Sequence, residues 1–135
     1  MKSVGEVMAI GRTFKEALQK GIRSLEIARF GLGANGKDLP ELSREELSCK
    51  LRIPNSQRLF YLRQAFRNGM TVEEVYHLTA IDPWFLHQIR DLVAFTGQLE
   101  AFGELLRQGR GQDQLEDMLR QAKEYGFSDV QLGRL

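Results

Sequence analysis

The sequence lacks the features of a disulfide-bonded, secreted or membrane-spanning protein. Cys49 is the single cysteine, so no internal disulfide can form, which fits a reducing compartment such as the cytosol. No apolar run approaches the roughly 20 residues that cross a bilayer. The N-terminus has no basic stretch followed by an apolar one, as a signal peptide would. The sequence therefore predicts a cytoplasmic protein with no membrane partner.

An excess of charge of either sign is also missing. Nineteen basic and eighteen acidic side chains give a formal net charge of +1. Binding to nucleic acid or to an anionic membrane needs a concentrated excess of Lys and Arg, which this chain does not have. With 135 residues, 42% of them hydrophobic, the chain is long enough for one domain with its own core.

No recognisable set of catalytic, cofactor-binding or metal-ligating residues is present. Gly31, Gly33 and Gly36 approximate a phosphate-binding loop, but no convincing strand precedes them and no Gly-Lys-Ser/Thr follows. The two histidines, His77 and His87, have no cysteine or acidic cluster nearby to complete a metal site. The glycines therefore predict a connector and the histidines solvated or partly packed side chains. We expect no catalytic residue, no cofactor and no metal in this chain.

Helix start signals recur along the sequence. Three have the capping-box pattern, in which a hydroxyl and a carboxylate each satisfy a backbone N–H, and they are Thr13 with Glu16, Ser43 with Glu46, and Thr71 with Glu74. Three further starts are predicted at Asn55, at the Asp82-Pro83 pair and at Ser128. Gly69 and Gly126 are predicted to end helices.

Apolar residues between these signals recur at helical spacing, and the longest stripe is Phe85, Ile89, Leu92, Thr96, Leu99 and Phe102. Residues 1–12 differ, because Val4 and residues 7–10 form a short apolar run, with Gly5 inside it and Gly11 after it, that suits a strand or an extended segment. Residues 31–40 form a loop or linker. The predicted fold is all-α, an irregular bundle of about seven helices with a short extended N-terminal segment.

Two features of residues 58–90 suggest a binding surface, one for DNA and one for another protein. Their order of helix, glycine turn, helix, cap and helix is similar to a helix-turn-helix DNA reader. The last helix, however, begins with Trp84, Phe85 and Leu86 rather than the Arg, Lys, Asn or Gln that would read base edges. These three bulky neighbours cover more than one helix face. They belong either to a multi-helix core or to an exposed patch in a protein interface.

Three segments resemble one known family. Residues 1–12, MKSVGEVMAIGR, strongly resemble the closing segment of the first ATP-grasp unit in the carbamoyl phosphate synthetase large subunit. Residues 78–86, LTAIDPWFL, are similar to the signature of that family's helical oligomerization domain. Residues 122–129, AKEYGFSD, resemble the usual ending of the same domain. The likeness covers the whole chain, although residues 31–40 and 96–112 look like loops longer than in many relatives.

The resemblance implies a role without chemistry of its own. Residues 1–12 would be the C-terminal edge of the first ATP-grasp unit, and residues 13–135 the oligomerization domain between two ATP-grasp halves. The whole enzyme would make carbamoyl phosphate from bicarbonate, glutamine-derived ammonia and two ATP, with Mg or Mn and K, for arginine and pyrimidine synthesis. A small glutamine amidotransferase subunit would be its partner.

The resemblance also implies self-association between large subunits. We expect the interface among six apolar residues, which are Leu59, Phe60, Trp84, Phe85, Leu86 and Ile89. A self-complementary surface of this kind pairs subunits about two-fold axes. Two alternatives stay open, namely a helix-turn-helix DNA-binding protein using residues 58–90 and a passive spacer without an interface of its own.

Overall fold

The computed structural model describes residues 6–25, 27–33 and 39–135, which contain seven α-helices. In chain order they are α1 (Phe14–Ser24), α2 (Arg44–Arg52), α3 (Arg58–Arg67), α4 (Val72–Thr79), α5 (Pro83–Arg107), α6 (Leu115–Glu124) and α7 (Asp129–Leu132). A short 3-10 turn, Gln112–Gln114, precedes α6. None of the described residues lies in a β-strand. The all-α prediction with about seven helices is confirmed.

The helices belong to two compact units. The terminal unit consists of residues 1–37 and 96–135, and it contains α1, α6, α7 and the last part of α5. The central unit consists of residues 38–95, and it contains α2, α3, α4 and the first part of α5.

The starts of α2 and α4 in the central unit follow the predicted capping boxes. The N–H of Ser43 donates to Glu46 Oε2 at 3.0 Å, and Ser43 Oγ accepts from the Glu46 N–H at 3.3 Å. The N–H of Thr71 donates to Glu74 Oε2 at 2.7 Å, and Thr71 Oγ1 accepts from the Glu74 N–H at 3.1 Å. Glu74 also forms an ion pair with Arg44, which links α4 to α2. Both predicted boxes are confirmed.

These carboxylates make the stability of the chain sensitive to acid. The Ser43 N–H lowers the pKa of Glu46, and the Thr71 N–H lowers that of Glu74. A carboxyl group with a lower pKa in the folded state stabilises the fold above its unfolded pKa, about 4.3 for glutamate. That contribution is lost as the pH falls through the folded value. We expect the urea midpoint to fall as the pH drops below about 4.3.

Substitution with glutamine tests whether Glu46 and Glu74 cause the acid sensitivity. Glutamine can still accept from the N-cap N–H but does not titrate, so the double variant Glu46→Gln/Glu74→Gln is expected to lose less of its urea midpoint on acidification. Glu45→Gln is the matched control, because Glu45 lies in the same first turn of α2 outside the capping box. Equal acid sensitivity in the wild type and the double variant would contradict the prediction.

The capping box predicted at Thr13 is only half formed. Thr13 Oγ1 accepts from the Glu16 N–H at 3.2 Å, as predicted. The Glu16 carboxylate, however, accepts from the N–H of Arg12 at 2.7 Å, one residue before the cap. Lys20 Nζ explains this position, because it donates both to Glu16 Oε1 at 2.7 Å and to the carbonyl of Ile10 at 3.0 Å. The Lys20 hydrogen bond lowers the pKa of Glu16.

The predicted cap at Asn55 is wrong. The helix α3 begins at Arg58, and its N-cap position is Gln57. The Asn55 side chain instead holds the turn before the helix, where its Oδ1 accepts from the Gln57 N–H at 3.0 Å. Its Nδ2 donates to the carbonyl groups of Lys50 and Ile53 at 3.0 and 2.8 Å. Asn55 therefore satisfies carbonyl groups at the end of α2, because one side chain can serve both sides of so short a connection.

The longest predicted stripe is buried along α5, with one exception. Ile89, Leu92, Thr96, Leu99 and Phe102 are all at most 8% exposed, whereas Phe85 is 42% exposed. The helix also continues to Arg107. The prediction of a long loop over residues 96–112 is therefore wrong, because the apolar spacing and the helical backbone continue through its first twelve residues.

Two fully buried glutamines hold residues 31–33 inside the terminal unit. Gln19 Oε1 accepts from the N–H of Leu32 at 2.6 Å, and Gln131 Nε2 donates to the carbonyl of Gly33 at 3.0 Å. A Cβ atom at Gly31 would lie 2.3 Å from Gln19 Oε1, so only glycine fits between the two side chains. Residues 31–33 of the predicted 31–40 connector are therefore packed against α1 and α7, and residues 34–38 lie outside the described part.

Residues 6–11 form neither a helix nor a strand. Of the predicted apolar run, Val4 and its neighbour Gly5 lie outside the described residues. A Cβ atom at Gly11 would lie 2.5 Å from the backbone nitrogen of Ala17, so this segment lies directly against α1. Its outer side chains remain in solvent, with Met8 86% and Ile10 79% exposed.

Candidate association surface

The junction between α4 and α5 is held by hydrogen bonds within the central unit. The helix α4 ends at Thr79, and its C-cap residue, Ala80, has a left-handed backbone with φ of 53°. Thr79 Oγ1 donates to the carbonyl of Val75 at 2.7 Å and accepts from the N–H of Ile81 at 3.2 Å. Arg58 Nη2 donates to the carbonyl of Thr79 at 2.9 Å, which ties α3 to the junction. These bonds fix the direction in which α5 starts.

The first turn of α5 places two aromatic rings on the surface. Asp82 Oδ1 accepts from the N–H of Trp84 at 2.8 Å, which confirms the predicted Asp82-Pro83 start. Trp84 is 53% and Phe85 42% exposed. Their rings meet edge to face, with centroids 5.0 Å apart and planes at 89°. We call Trp84 and Phe85 the aromatic corner.

The other four predicted interface residues lie deeper. Leu86 is 0% and Ile89 4% exposed, so both belong to the core of the central unit. Leu59 and Phe60 on α3 are half-buried. Leu86 and Ile89 therefore support the aromatic corner from within and are not themselves available for contact. Of the six residues, only the two of the aromatic corner are exposed to solvent, and Leu59 and Phe60 are partly covered.

The two histidines and the glycine-rich stretch belong to no metal cluster within the described residues. No three His, Cys, Asp or Glu side chains in the described ranges are arranged to hold a metal ion. His77 and His87 are both exposed on the surface, and His77 Nε2 lies 3.8 Å from Glu73 on the same helix. The N–H of Leu32, in the glycine-rich stretch, is used by Gln19, which removes a donor that a phosphate would need. Among the described helices, none is long and apolar enough to cross a membrane.

A second apolar surface, in the terminal unit, was not predicted. The sequence places Leu115, Met118 and Leu119 on one apolar stripe of α6. In the structure only Ala122 of α6 is buried, and Leu119 is 40% exposed. Sequence spacing reveals the stripe but not whether a neighbouring helix covers it.

The chain matches a family model over residues 6–135. The model describes the oligomerisation domain of the carbamoyl-phosphate synthetase large chain. No finding supports the DNA-binding alternative for residues 58–90, where the exposed start of α5 carries the aromatic corner instead of base-reading side chains.

Curated relatives agree with the family model. The carbamoyl phosphate synthase large chain of Archaeoglobus fulgidus is 54% identical over 132 residues, which are 98% of this chain and 12% of that protein. The large chain of Rhodopirellula baltica is 46% identical over the full length of this chain and 12% of its own. The N-terminal section of the large chain of Aquifex aeolicus is 49% identical, with 100% of this chain and 22% of that protein covered. This chain therefore belongs to the family of oligomerisation domains of carbamoyl-phosphate synthetase large chains.

Proposed function

We propose that this chain is a non-catalytic domain through which carbamoyl phosphate synthetase large chains associate with one another. The observation that carries the proposal is the aromatic corner, two large exposed rings held in fixed positions by the α4–α5 junction. Large aromatic side chains supply much of the binding energy in protein interfaces. The family description, which names oligomerisation, supports the same role.

The surrounding protein would supply the chemistry. The chain spans 12% of the length of the first two relatives, so the reacting groups would lie elsewhere in such a protein. The whole enzyme would make carbamoyl phosphate from bicarbonate and glutamine-derived ammonia, using ATP with Mg or Mn and K, in the cytoplasm. A small glutamine amidotransferase subunit would be its partner. Residues 1–12 would form the C-terminal edge of the first ATP-grasp unit and residues 13–135 the oligomerisation domain.

The aromatic corner suits a two-fold contact between identical chains. In such a contact each surface meets a copy of itself, so Trp84 and Phe85 of both chains would be buried in the same interface. Leu86 and Ile89 fix the helix behind them, since both are packed in the core. Because the hydrogen bonds at the α4–α5 junction order this turn of α5 before binding, little entropy is lost when a partner covers it.

Removal of both rings is expected to weaken self-association about 30-fold or more, because loss of two interface anchors costs about 2 kcal/mol or more. The measurement is the mass of the chain in solution by light scattering over a wide concentration range. Wild-type chains that dissociate on dilution, with Trp84→Ala/Phe85→Ala dissociating at higher concentrations, would support the proposal.

The control is Ile53→Ala, which removes a 71% exposed side chain elsewhere in the central unit. This variant is expected to associate like the wild type. Far-ultraviolet circular dichroism shows whether each variant keeps its helices. A wild-type chain that stays monomeric at every concentration would contradict the proposal and would favour the passive spacer.

A further inference from the structure

An apolar groove crosses the terminal unit beside α6. Its volume is about 240 Å³, and one side is formed by the last three turns of α5. The residues that line it are Leu99, Phe102, Gly103, Leu106, Arg107, Leu115, Met118, Leu119, Leu132 and Leu135. Arg107 is the one charged residue among them, and its Nη2 donates to the carbonyl of Leu135 at 2.5 Å. The groove therefore offers a nearly continuous hydrocarbon surface.

The helix α6 is only partly covered by its own unit. Its apolar stripe consists of Leu115, Met118, Leu119 and Ala122, and only Ala122 is buried. Leu115 and Met118 are half-buried, and Leu119 is 40% exposed. An amphipathic helix on a globular protein normally packs its stripe on a core. Leu119 and the open parts of Leu115 and Met118 therefore form an apolar surface that a partner can cover.

The charges of α6 are arranged to match a second copy of the same helix. At 3.6 residues per turn, Glu116 and Lys123 lie on the same flank of the apolar stripe, seven residues apart. Asp117 and Glu124 lie on the opposite face of the helix. In an antiparallel pair of identical helices the same flanks face each other, so Glu116 of each copy would lie opposite Lys123 of the other. The two-fold axis would pass close to Leu119, midway between them.

The ion pairs that these side chains form within one chain can rearrange. Glu116 Oε1 lies 2.9 Å from Arg120 Nη2, and Lys123 is paired with Asp129. The side chains of Glu116 and Asp129 are 85% and 90% exposed. Exposed pairs contribute little to stability, so an exchange of partners on association costs little.

We propose that α6 is a second self-association surface, which pairs antiparallel with α6 of another copy of this chain and covers the groove. The proposal rests on the proposed function in that the chain self-associates, but it uses residues separate from the aromatic corner. The groove and the apolar stripe contribute the attraction, and the Glu116–Lys123 pairs select the antiparallel register.

Leu119→Glu is the first test. The variant places a charge in the centre of the contact, once on each side of the two-fold axis, and is expected to weaken association through α6 at least 30-fold. Leu105→Glu is the matched control, because Leu105 is also a 40% exposed leucine of the terminal unit and does not line the groove. The control is expected to associate like the wild type in sedimentation velocity experiments.

Charge reversal tests the register. Glu116→Lys and Lys123→Glu are each expected to weaken association about tenfold, because each places two like-charged pairs across the two-fold axis. The double variant Glu116→Lys/Lys123→Glu is expected to restore it, since the attractive pairs return with their signs exchanged. A purely structural role of either side chain would give no such rescue.

The outcomes separate this proposal from the proposed function. Association that is weakened by Trp84→Ala/Phe85→Ala but unchanged by Leu119→Glu and by both charge reversals would overturn the role of α6 and leave the aromatic corner in place. A lower melting temperature for Leu119→Glu without any change of mass would also overturn it, because the groove would then serve the fold of one chain. A wild-type chain that is monomeric at all concentrations would overturn both.

Discussion

Leu86→Ala is expected to lower the free energy of unfolding by about 3 kcal/mol, within the usual 2–5 kcal/mol for a buried leucine. Leu86 is 0% exposed in the core of the central unit, so its truncation removes buried methyl groups and leaves a cavity. Phe85→Ala, one residue earlier on α5, is expected to cost less than about 1.5 kcal/mol, because Phe85 is 42% exposed. Urea unfolding followed by circular dichroism measures both.

In association experiments the larger effect is expected for Phe85→Ala and the smaller one for Leu86→Ala. Phe85→Ala is expected to shift the chain towards the monomer, and Leu86→Ala to leave the mass unchanged under conditions in which it stays folded. A comparable loss of stability in both variants would mean that Phe85 is part of the core. Loss of association in Leu86→Ala with a native circular dichroism spectrum would contradict its assignment as a supporting residue.

The helix ends of this fold could be predicted from the sequence because they depend on neighbouring residues. Ser43 and Thr71 each bond with a glutamate three residues later, and this spacing is visible in the chain. The Asp82 side chain likewise accepts from the backbone N–H of a near neighbour, Trp84. At Thr13 the Glu16 carboxylate binds Lys20 and the Arg12 N–H instead of the N-cap N–H. At Asn55 the side chain is held by the turn before α3 and by carbonyl groups at the end of α2.

The rotation of α5 could not be predicted. Phe85 and Leu86 lie four and three residues before the buried Ile89, so both positions fall near the same face of a helix. Periodicity therefore allows either side chain to face the core. The α4–α5 junction decides, because the left-handed Ala80 and the Asp82 cap set the angle at which the helix begins. The result is a buried Leu86 and an exposed Phe85.

The buried glutamines illustrate a second limit. Gln19 and Gln131 are both 0% exposed, although glutamine is mostly found on protein surfaces. Their partners, Leu32 and Gly33, are 13 and 98 residues away in the chain. No local sequence pattern predicts a hydrogen bond between residues so far apart in the chain. The same holds for the groove beside α6, because the spacing of its leucines shows an apolar face but not what covers it.

Gly126→Ala is expected to destabilise the chain far more than Gly109→Ala. Both glycines have left-handed backbones, with φ of 85° and 75°, and each follows the end of a helix in the terminal unit. An alanine in this conformation costs roughly 1–2 kcal/mol at either position. A Cβ atom at Gly109 would meet no heavy atom within 4 Å. At Gly126 it would lie 2.8 Å from the Cα atom of Glu16 on α1.

Because the obstacle at Gly126 is backbone, α1 would have to move. Overpacking of this kind adds about 1–3 kcal/mol, so the total loss at Gly126 is expected near 3–4 kcal/mol. Displacement of α1 would also strain the hydrogen bond from Arg23 Nη1 to the carbonyl of Gly126, 2.6 Å long. Urea unfolding measures both variants, and losses within about 0.5 kcal/mol of each other would show that α1 and residue 126 are not in close contact. The sequence predicts a helix-ending glycine at 126, but its close approach to α1 is a tertiary contact that only the fold reveals.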